Sequence, residues 1–400
     1  MNTKLYVGLD VHKDSIAVAI AKADGSPPQS CGSWGGTNLS AERGLLRLRK
    51  KFGVSKEEIS VAYEAGPTGF TLARRLEQLG YRCLVAAPSE IPQKPGERVK
   101  TDCPPLRGRP AVWLRPPAAA FAAGQWIDAR KIARLHRAGE LEGIHVPEAA
   151  DEAVRDLCRA RTDAMQALAR AKQQLGMFLL RNGVAYPGKT RWTQAHMNYL
   201  RRTRLPHAAH QLVLEEYIQA VDAGVERVAR IEAHMKDILE TWERRPYVEA
   251  LVAFRGFQTV AAMTAVSELG DLGRFAHPRQ LMGYLGLVPG EDSSGARRRQ
   301  GSITKTGNGH ARWMLIECAS HYSHPPRVSP QLSARQEGQS REVRAIAWRA
   351  QNRLNRKFRR LAARRLHRNK AVVAVARELC GYLWELHRQV ASEIAAKAAA

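Results

Sequence analysis

Residues 4–26 read KLYVGLDVHKDSIAVAIAKADGS, and their pattern decides the fold of the first part of the chain. An apolar run climbs to Asp10, a polar turn (HKDS) follows, and alternating apolar residues resume until Asp24–Gly25. That pattern predicts a strand, a tight turn and a second strand, because alternation with a period of two lines one face of a sheet. Working outward, residues 39–53 (LSAERGLLRLRKKFG) predict an amphipathic helix stopped by Gly53. Residues 59–81 predict a strand ending at Glu64, a turn at Gly66–Pro67 and a helix closed by Gly80, and residues 82–92 a further strand. Strands alternating with helices predict an α/β sheet covered on its faces.

From Pro147 to about Arg245 the pattern becomes helical. Val154, Leu157, Ala164, Leu168, Leu175 and Leu179 recur at helical spacing in one segment. Ile218, Val221, Val225, Val228, Ile231, Met235 and Ile238 do so in a second. A Pro- and Arg-rich connection joins the two, which predicts an antiparallel hairpin or coiled coil. Residues 247–322 predict a compact helical unit with a Gly-rich basic centre, and 323–342 a loop. A basic amphipathic helix from Glu342 and an apolar-faced helix over 371–389 follow, and the tail ASEIAAKAAA is expected to fray.

Length bounds the chain at two or three domains, since 400 residues can bury a sizeable core. Its 63 Lys and Arg stand against 38 Asp and Glu, a net charge of +25. Such a field attracts polyanions, nucleic acid above all, by counterion release. Six cysteines are scattered without a CxxC pair or zinc spacing, which predicts reduced thiols. The N-terminus lacks an apolar signal core, and no run approaches the roughly 18 apolar residues of a membrane span. The expectation is a cytoplasmic protein with no membrane partner. An actin-like sugar kinase also places Asp after its first strand, but the second Gly-rich phosphate loop and adenosine-binding Gly pair of that fold are missing here.

Four acids carry the candidate chemistry. Asp10 and Glu64 end predicted strands, and Asp102 and Asp128 flank the stretch VKTDCPPLRGRPAVWLRPPAAAFAAGQWIDARKIARL (99–135). Carboxylates converging from strand ends suit Mg²⁺, a hard cation that takes several oxygen ligands, and a pair of such ions suits phosphodiester chemistry. Singly, each acid reads rather as a strand-end cap or a surface carboxylate, but strand-ending Asp10 and Glu64 together in an α/β domain of a very basic chain favour the metal reading. A second constellation is GLVPGEDSSGARRRQGSITKTGNGHAR (286–312), where Ser293 and Ser294 stand beside Arg297, Arg298, Arg299, Lys305 and Arg312. Arginines there would neutralise a phosphate under attack by a serine hydroxyl, although serines in such loops also serve as turn formers. Gly307, Asn308 and Gly309 allow a turn into a helix whose first amides could hold phosphate. Arg353, Arg356, Arg360 and Arg364 recur at three- and four-residue steps, a guanidinium face suited to nucleic-acid phosphates.

With Asp10, Glu64, the KTD turn at 100–102, DARKIARLHRAGEL at 128–141 and the 286–312 segment in view, the chain resembles the DEDD-type insertion-sequence transposases of family one-ten, the bridge-RNA-guided recombinases. The resemblance runs from Leu5 to about Leu386. It implies an α/β N-terminal domain of RNase H fold, RuvC-like, over 1–146, and a helical coiled-coil arm over 147–245. A mostly α transposase domain with a catalytic serine over 246–322 and basic C-terminal helices over 323–400 complete the implied order. It further implies Mg²⁺ held by Asp10, Glu64, Asp102 and Asp128, with Ser294 as nucleophile and Ser293 as its neighbouring alternative. The implied partners are donor and target DNA, a structured guide RNA and further copies of the chain in a homodimer or homotetramer. The implied location is the bacterial nucleoid.

Two departures stand out. Arg255–Gly256 occupies the place where Pro-Gly is common in that family, at a hairpin-like entry whose amides could hold DNA backbone. The family's last two acids share a short TD-x-x-DA turn, whereas here about 24 extra residues, 103–126, separate Thr101–Asp102 from Asp128–Ala129. That insertion is rich in Pro, Arg, Ala and Gly and shows neither strand alternation nor a capped helix. It reads as a surface excursion, as decay of a mobile element, or as an RNA-contacting loop built on Arg107, Arg109, Trp113 and Arg115. The corresponding alternatives in function are a catalytically impaired remnant that only binds nucleic acid and a RuvC-like junction nuclease using water.

Overall fold

The computed structural model describes residues 3–88, 91, 118–291 and 300–399, with 118–127 as backbone. The opening stretch forms β1 (Leu5–Val11) and β2 (Ser15–Lys22), antiparallel in unbroken register from Leu5 opposite Lys22 to Val11 opposite Ile16. With β3 (Gln29–Gly35), β4 (Ile59–Glu64) and β5 (Arg82–Ala86) they make a five-stranded sheet of order β3-β2-β1-β4-β5. The β1–β4 and β4–β5 pairs are parallel, so helices must carry the chain back each time. Those crossovers are α1 (Asn38–Phe52), capped by Thr37 and ended by left-handed Gly53, and α2 (Thr71–Gln78).

Alternation divides the sheet into two unlike faces. Leu5, Val7 and Leu9, Ile16, Val18 and Ile20, and Ile59, Val61 and Tyr63 pack in one core with α1 and α2. The opposite face is built from Gly8, Ala17, Ala19, Ala21 and Ala62, and α3 (Ala118–Ala138) lies on it. A Cβ at Gly8 would come within 2.3 Å of the Ala129 carbonyl oxygen and 2.4 Å of the Ala133 nitrogen. Small side chains therefore let this helix approach the sheet backbone.

No element is predicted over 29–35, where β3 forms. Its sequence, QSCGSWG, buries only Trp34 and half-buries Cys31, so an edge strand stabilised by pairing with β2 leaves little apolar signature. One local prediction needs correction in this unit. The composition of 103–126 predicts no helix, yet α3 begins at Ala118. Its first residues, AAAFAA, combine the strongest helix former with a downstream segment already packed on the sheet, and the helix propagates backward from there.

The chain divides into two compact units, Met1–Val146 and Pro147–Ala400. The second unit is mostly helical. Its α4 (Ala149–Arg181) and α6 (Ala208–Thr241) pack antiparallel, as Arg161 pairing with Glu232 and Leu168 facing Gly224 show. The connection between them holds α5 (Gln194–Arg202). Val225 and Ile238 lie off the buried stripe of α6 and are exposed, unlike the other apolar residues of that periodic set. At its base the arm shares one core with the helices that follow, since Val154, Cys158, Met235 and Trp242 cluster with Phe254, Leu315 and Leu379.

Those helices are α7 (Arg245–Val252), α8 (Thr259–Leu269) and α9 (Pro278–Tyr284), then a hairpin of β6 (Pro289–Glu291) and β7 (Gln300–Ile303). After it come α10 (Gly309–Ser320), α11 (Pro330–Gln336), α12 (Arg341–Ala363) and α13 (Arg368–Ala399). Helix α11 falls within the predicted loop. Ser329 caps it and Pro330 opens it, a start signal outweighed in sequence by the surrounding Pro, Ser and Gly. Helix α13 continues to Ala399, through the tail expected to fray. Among the described residues no helix is long and apolar enough to cross a membrane, and Cys31, Cys83, Cys158, Cys318 and Cys380 are free thiols.

Candidate functional site

Parallel pairing of β1 with β4 sets Leu9 opposite Tyr63, so the next residues, Asp10 and Glu64, stand at neighbouring carboxyl ends of the sheet. By alternation Asp10 follows Gly8, and Glu64 follows Ala62, on the face that α3 covers. The Asp10 carboxylate, largely buried, accepts a 3.0 Å contact from His12 Nε2. His12 was not among the sequence candidates. It lies just past the end of β1, two residues after Asp10, and that spacing is the signal that would have found it.

Helix α3 runs opposite in direction to β1. At its C-terminal end the His136 ring lies edge-on to Tyr6, with centroids 5.3 Å apart, and its Nε2 is 2.7 Å from Ser60 Oγ. Arg137 donates to the carbonyls of Lys22 and Ser26 at that same end. Earlier in the helix Ala129 and Ala133 cross Gly8, and Ile132 packs with Ala62. Asp128, one turn before Ile132, therefore lies toward the end of the sheet that carries Asp10 and Glu64, and it is exposed. Asp102 lies outside the described residues. Among the described residues no group of three or more His, Cys, Asp or Glu side chains is close enough to hold a metal ion. The fold places Asp10 and Glu64 at neighbouring strand ends, with Asp128 toward the same end of the sheet. All three are hard-oxygen donors, the kind Mg²⁺ prefers.

The serine constellation frames the β6–β7 hairpin. Ser293, Ser294, Arg297, Arg298 and Arg299 lie in the 292–299 connection, outside the described residues. Its base is held by backbone on backbone. Gly286 (φ +59°) and Gly307 (φ +67°) adopt left-handed conformations, and Cβ atoms there would meet Thr306 and the Tyr284 carbonyl. Arg312 locks the same turn by donating to the carbonyls of Leu285 (3.0 Å) and Thr306 (2.8 Å). Asn308 caps α10 by accepting from the Ala311 amide, while its Nδ2 donates to Glu268 Oε2 at 2.7 Å. The side chains of Arg312 and Asn308 are thereby committed within the protein, and they position this turn. Lys305, by contrast, is exposed.

Glu268 is the hub that sequence does not disclose. Its buried carboxylate takes two hydrogen bonds from Arg159 of α4, at 2.7 and 3.0 Å, besides the one from Asn308. Burial alone raises the pKa of Glu268, but these donors and the Arg159 charge outweigh it and hold the group ionised below its usual value. No short-range pattern links positions 159, 268 and 308. Arg255 is likewise a clamp, donating to the carbonyls of His324, Pro325 and Arg327. Gly256 beside it (φ +88°) packs where a Cβ would meet the Cys318 carbonyl at 2.4 Å.

On α12 the predicted arginine face divides. Arg353 pairs with Glu378 of α13 at 2.5 Å, and Lys357 pairs with the same carboxylate at 2.7 Å. Arg356, Arg360 and Arg364 are exposed and make no ion pair among the described residues.

Comparison with known proteins bears on these features. Residues 248–333 match the model of the transposase IS116/IS110/IS902 family. A Sinorhizobium fredii protein named for a transposase, y4qE, is 40% identical over 384 residues, which cover 96% of this chain and 88% of that protein. The transposase for insertion sequence element IS1533 of Leptospira borgpetersenii is 28% identical over 373 residues, 91% of this chain and 99% of the relative.

Proposed function

The chain belongs to the IS116/IS110/IS902 family of transposases, and on that premise we propose that it is a Mg²⁺-dependent, RNA-guided DNA recombinase with a serine nucleophile. The observation that carries this reading is the pair Asp10 and Glu64 at adjacent ends of parallel strands, with Asp128 lying toward the same end of the sheet. A sheet of three antiparallel strands continued by two parallel ones supports an RNase H-type, RuvC-like domain. Asp10, Glu64 and Asp128, joined by Asp102, would hold Mg²⁺, which when bound offsets charge on the phosphate and on the leaving oxygen. His12 orients the Asp10 carboxylate.

Ser294 Oγ attacks the DNA phosphorus and forms an O–P bond. The bond from phosphorus to one sugar oxygen breaks, and that oxygen leaves with the serine proton. Attack by the sugar hydroxyl of a second strand reverses these changes, frees the serine and conserves the number of phosphodiester bonds. Arg297, Arg298, Arg299 and Lys305 offset the phosphate charge, on a loop whose base Arg312 and Asn308 hold in place. A structured guide RNA pairs with donor and target DNA. A homodimer or homotetramer lets the acids of one copy serve the serine of another, at the bacterial nucleoid.

The test is Ser294→Ala in a strand-exchange assay with the element's RNA. We expect loss of both the covalent protein–DNA adduct and the exchange, whereas Ser293→Ala retains both. Exchange that persists in Ser294→Ala overturns the serine chemistry and favours water attack by a junction nuclease. Ribonuclease treatment or chelation of Mg²⁺ is expected to stop exchange in the native chain.

The spacing of Asp102 from Asp128 favours a second reading, an impaired copy that binds nucleic acid without exchange. A chain lacking residues 103–117, which leaves α3 whole, distinguishes the two. Recombination by the shortened chain alone identifies the native copy as impaired.

A further inference from the structure

The end of the arm remote from the Phe254 core contains a cavity of about 640 Å³, formed by the last turns of α4, the connection after it and α5. Its size falls within the range of small-molecule pockets. We propose that it receives an unpaired nucleobase from a single-stranded stretch of nucleic acid, an inference that rests on the nucleic-acid reading above. Tyr186, Trp192 and His196 supply flat walls, and the exposed Met177 and Leu180 supply the apolar side. A cation stands over the aromatic surface, with Lys172 Nζ 5.6 Å from the Trp192 ring centroid, and Arg191 lines the rim. No acid is among the lining residues. The segment 184–205 that forms much of the wall holds five Lys and Arg and no Asp or Glu. Ring faces flanked by cations are what a base and its two neighbouring phosphates require.

Three details indicate that the cavity is built rather than left over. Gly176 lies inside α4 and lines the cavity, and a Cβ there would meet nothing within 4 Å. Glycine weakens a helix relative to alanine, and no packing neighbour demands it here, so its effect is to keep the floor open. Trp192 is held at φ +66°, a conformation that disfavours a bulky side chain, and its amide donates to His196 Nδ1 at 3.1 Å. His196 is only 2% exposed. With Nδ1 accepting, Nε2 carries the proton and has no acceptor among the described residues, which leaves a donor for a base edge.

The full-length chain would be titrated, by fluorescence anisotropy at fixed salt, with three labelled hairpins: fully paired, with one bulged nucleotide, and with an abasic bulge. Each is made as RNA and as DNA. We expect the bulged base to tighten binding roughly five- to hundredfold over both controls. Gly176→Phe, which fills the open space, removes that difference and leaves binding of the paired hairpin unchanged. Trp192→Ala weakens the preference. A preference in RNA alone assigns the base to RNA, and one in DNA to a displaced DNA strand. Equal binding of the native chain to all three hairpins, or discrimination that survives in Gly176→Phe, overturns the proposal while leaving nucleic-acid binding intact. Failure to bind any hairpin overturns both. Thermal melting of Gly176→Phe and of Gly176→Ala, the latter expected to be at least as stable as the native chain, checks that the fold is kept.

Discussion

Single residues decide how tightly the first unit closes. Gly8 is the position at which α3 meets the sheet backbone, and a methyl group there would lie 2.3 Å from the Ala129 carbonyl oxygen. Gly8→Ala is therefore expected to cost about 1–3 kcal/mol in urea unfolding, the usual range for overpacking. An unchanged midpoint would contradict the close approach. His136, at the opposite end of α3, gives the unit a pH dependence. Burial, and secondarily the Arg82 charge, push its pKa from 6.5 down to about 4. The unfolded chain thus takes up this proton first as pH falls. His136 contributes fully to stability above pH 6.5 and loses that contribution between pH 6.5 and about 4. Urea midpoints measured across this window should fall in the native chain and fall less in His136→Gln. Isolated residues of this kind were partly legible, since a glycine within an apolar strand signals close backbone approach. Which backbone approaches it was not, because Ala129 and Ala133 lie more than a hundred residues further along the chain.

At the scale of elements, the turn at the base of the β6–β7 hairpin depends on contacts between two short segments. Gly307 combines φ +67° with a carbonyl that a Cβ would meet at 1.9 Å. Gly307→Ala should separate the Tyr284–Gly286 turn from the Thr304–Gly307 turn and destabilise the second unit by about 1–3 kcal/mol. Chemical denaturation checks this, and a variant as stable as the native chain would contradict the clamp. Strands β1, β2, β4 and β5 and the long helices α4 and α6 were readable from period and punctuation, because each buries a continuous stripe or face. Several elements escaped, for separate reasons. The β3 edge buries little besides Trp34, the β6–β7 hairpin is too short to show alternation, and α11 is hidden among loop-forming residues.

For the whole molecule, the charge of +25 makes binding to nucleic acid salt-dependent. Arg356→Gln and Arg360→Gln should each flatten the slope of log affinity against log salt by roughly 0.9 on duplex DNA if each meets a phosphate. Arg353→Gln should change it less, because Glu378 already holds that guanidinium. Equal effects at all three positions would contradict the division of the α12 face. Sequence by itself determined the α/β character of the first unit, the helical arm, the basic charge and the strand-end positions of Asp10 and Glu64. Each of these follows from local periodicity or from composition. Tertiary structure alone decided that Asp10 and Glu64 are neighbours, since parallel pairing joins strands about fifty residues apart through a helical crossover. It also turned Asn308, Arg312 and Arg353 from free polar groups into internal ties, through partners that no spacing in the chain could announce.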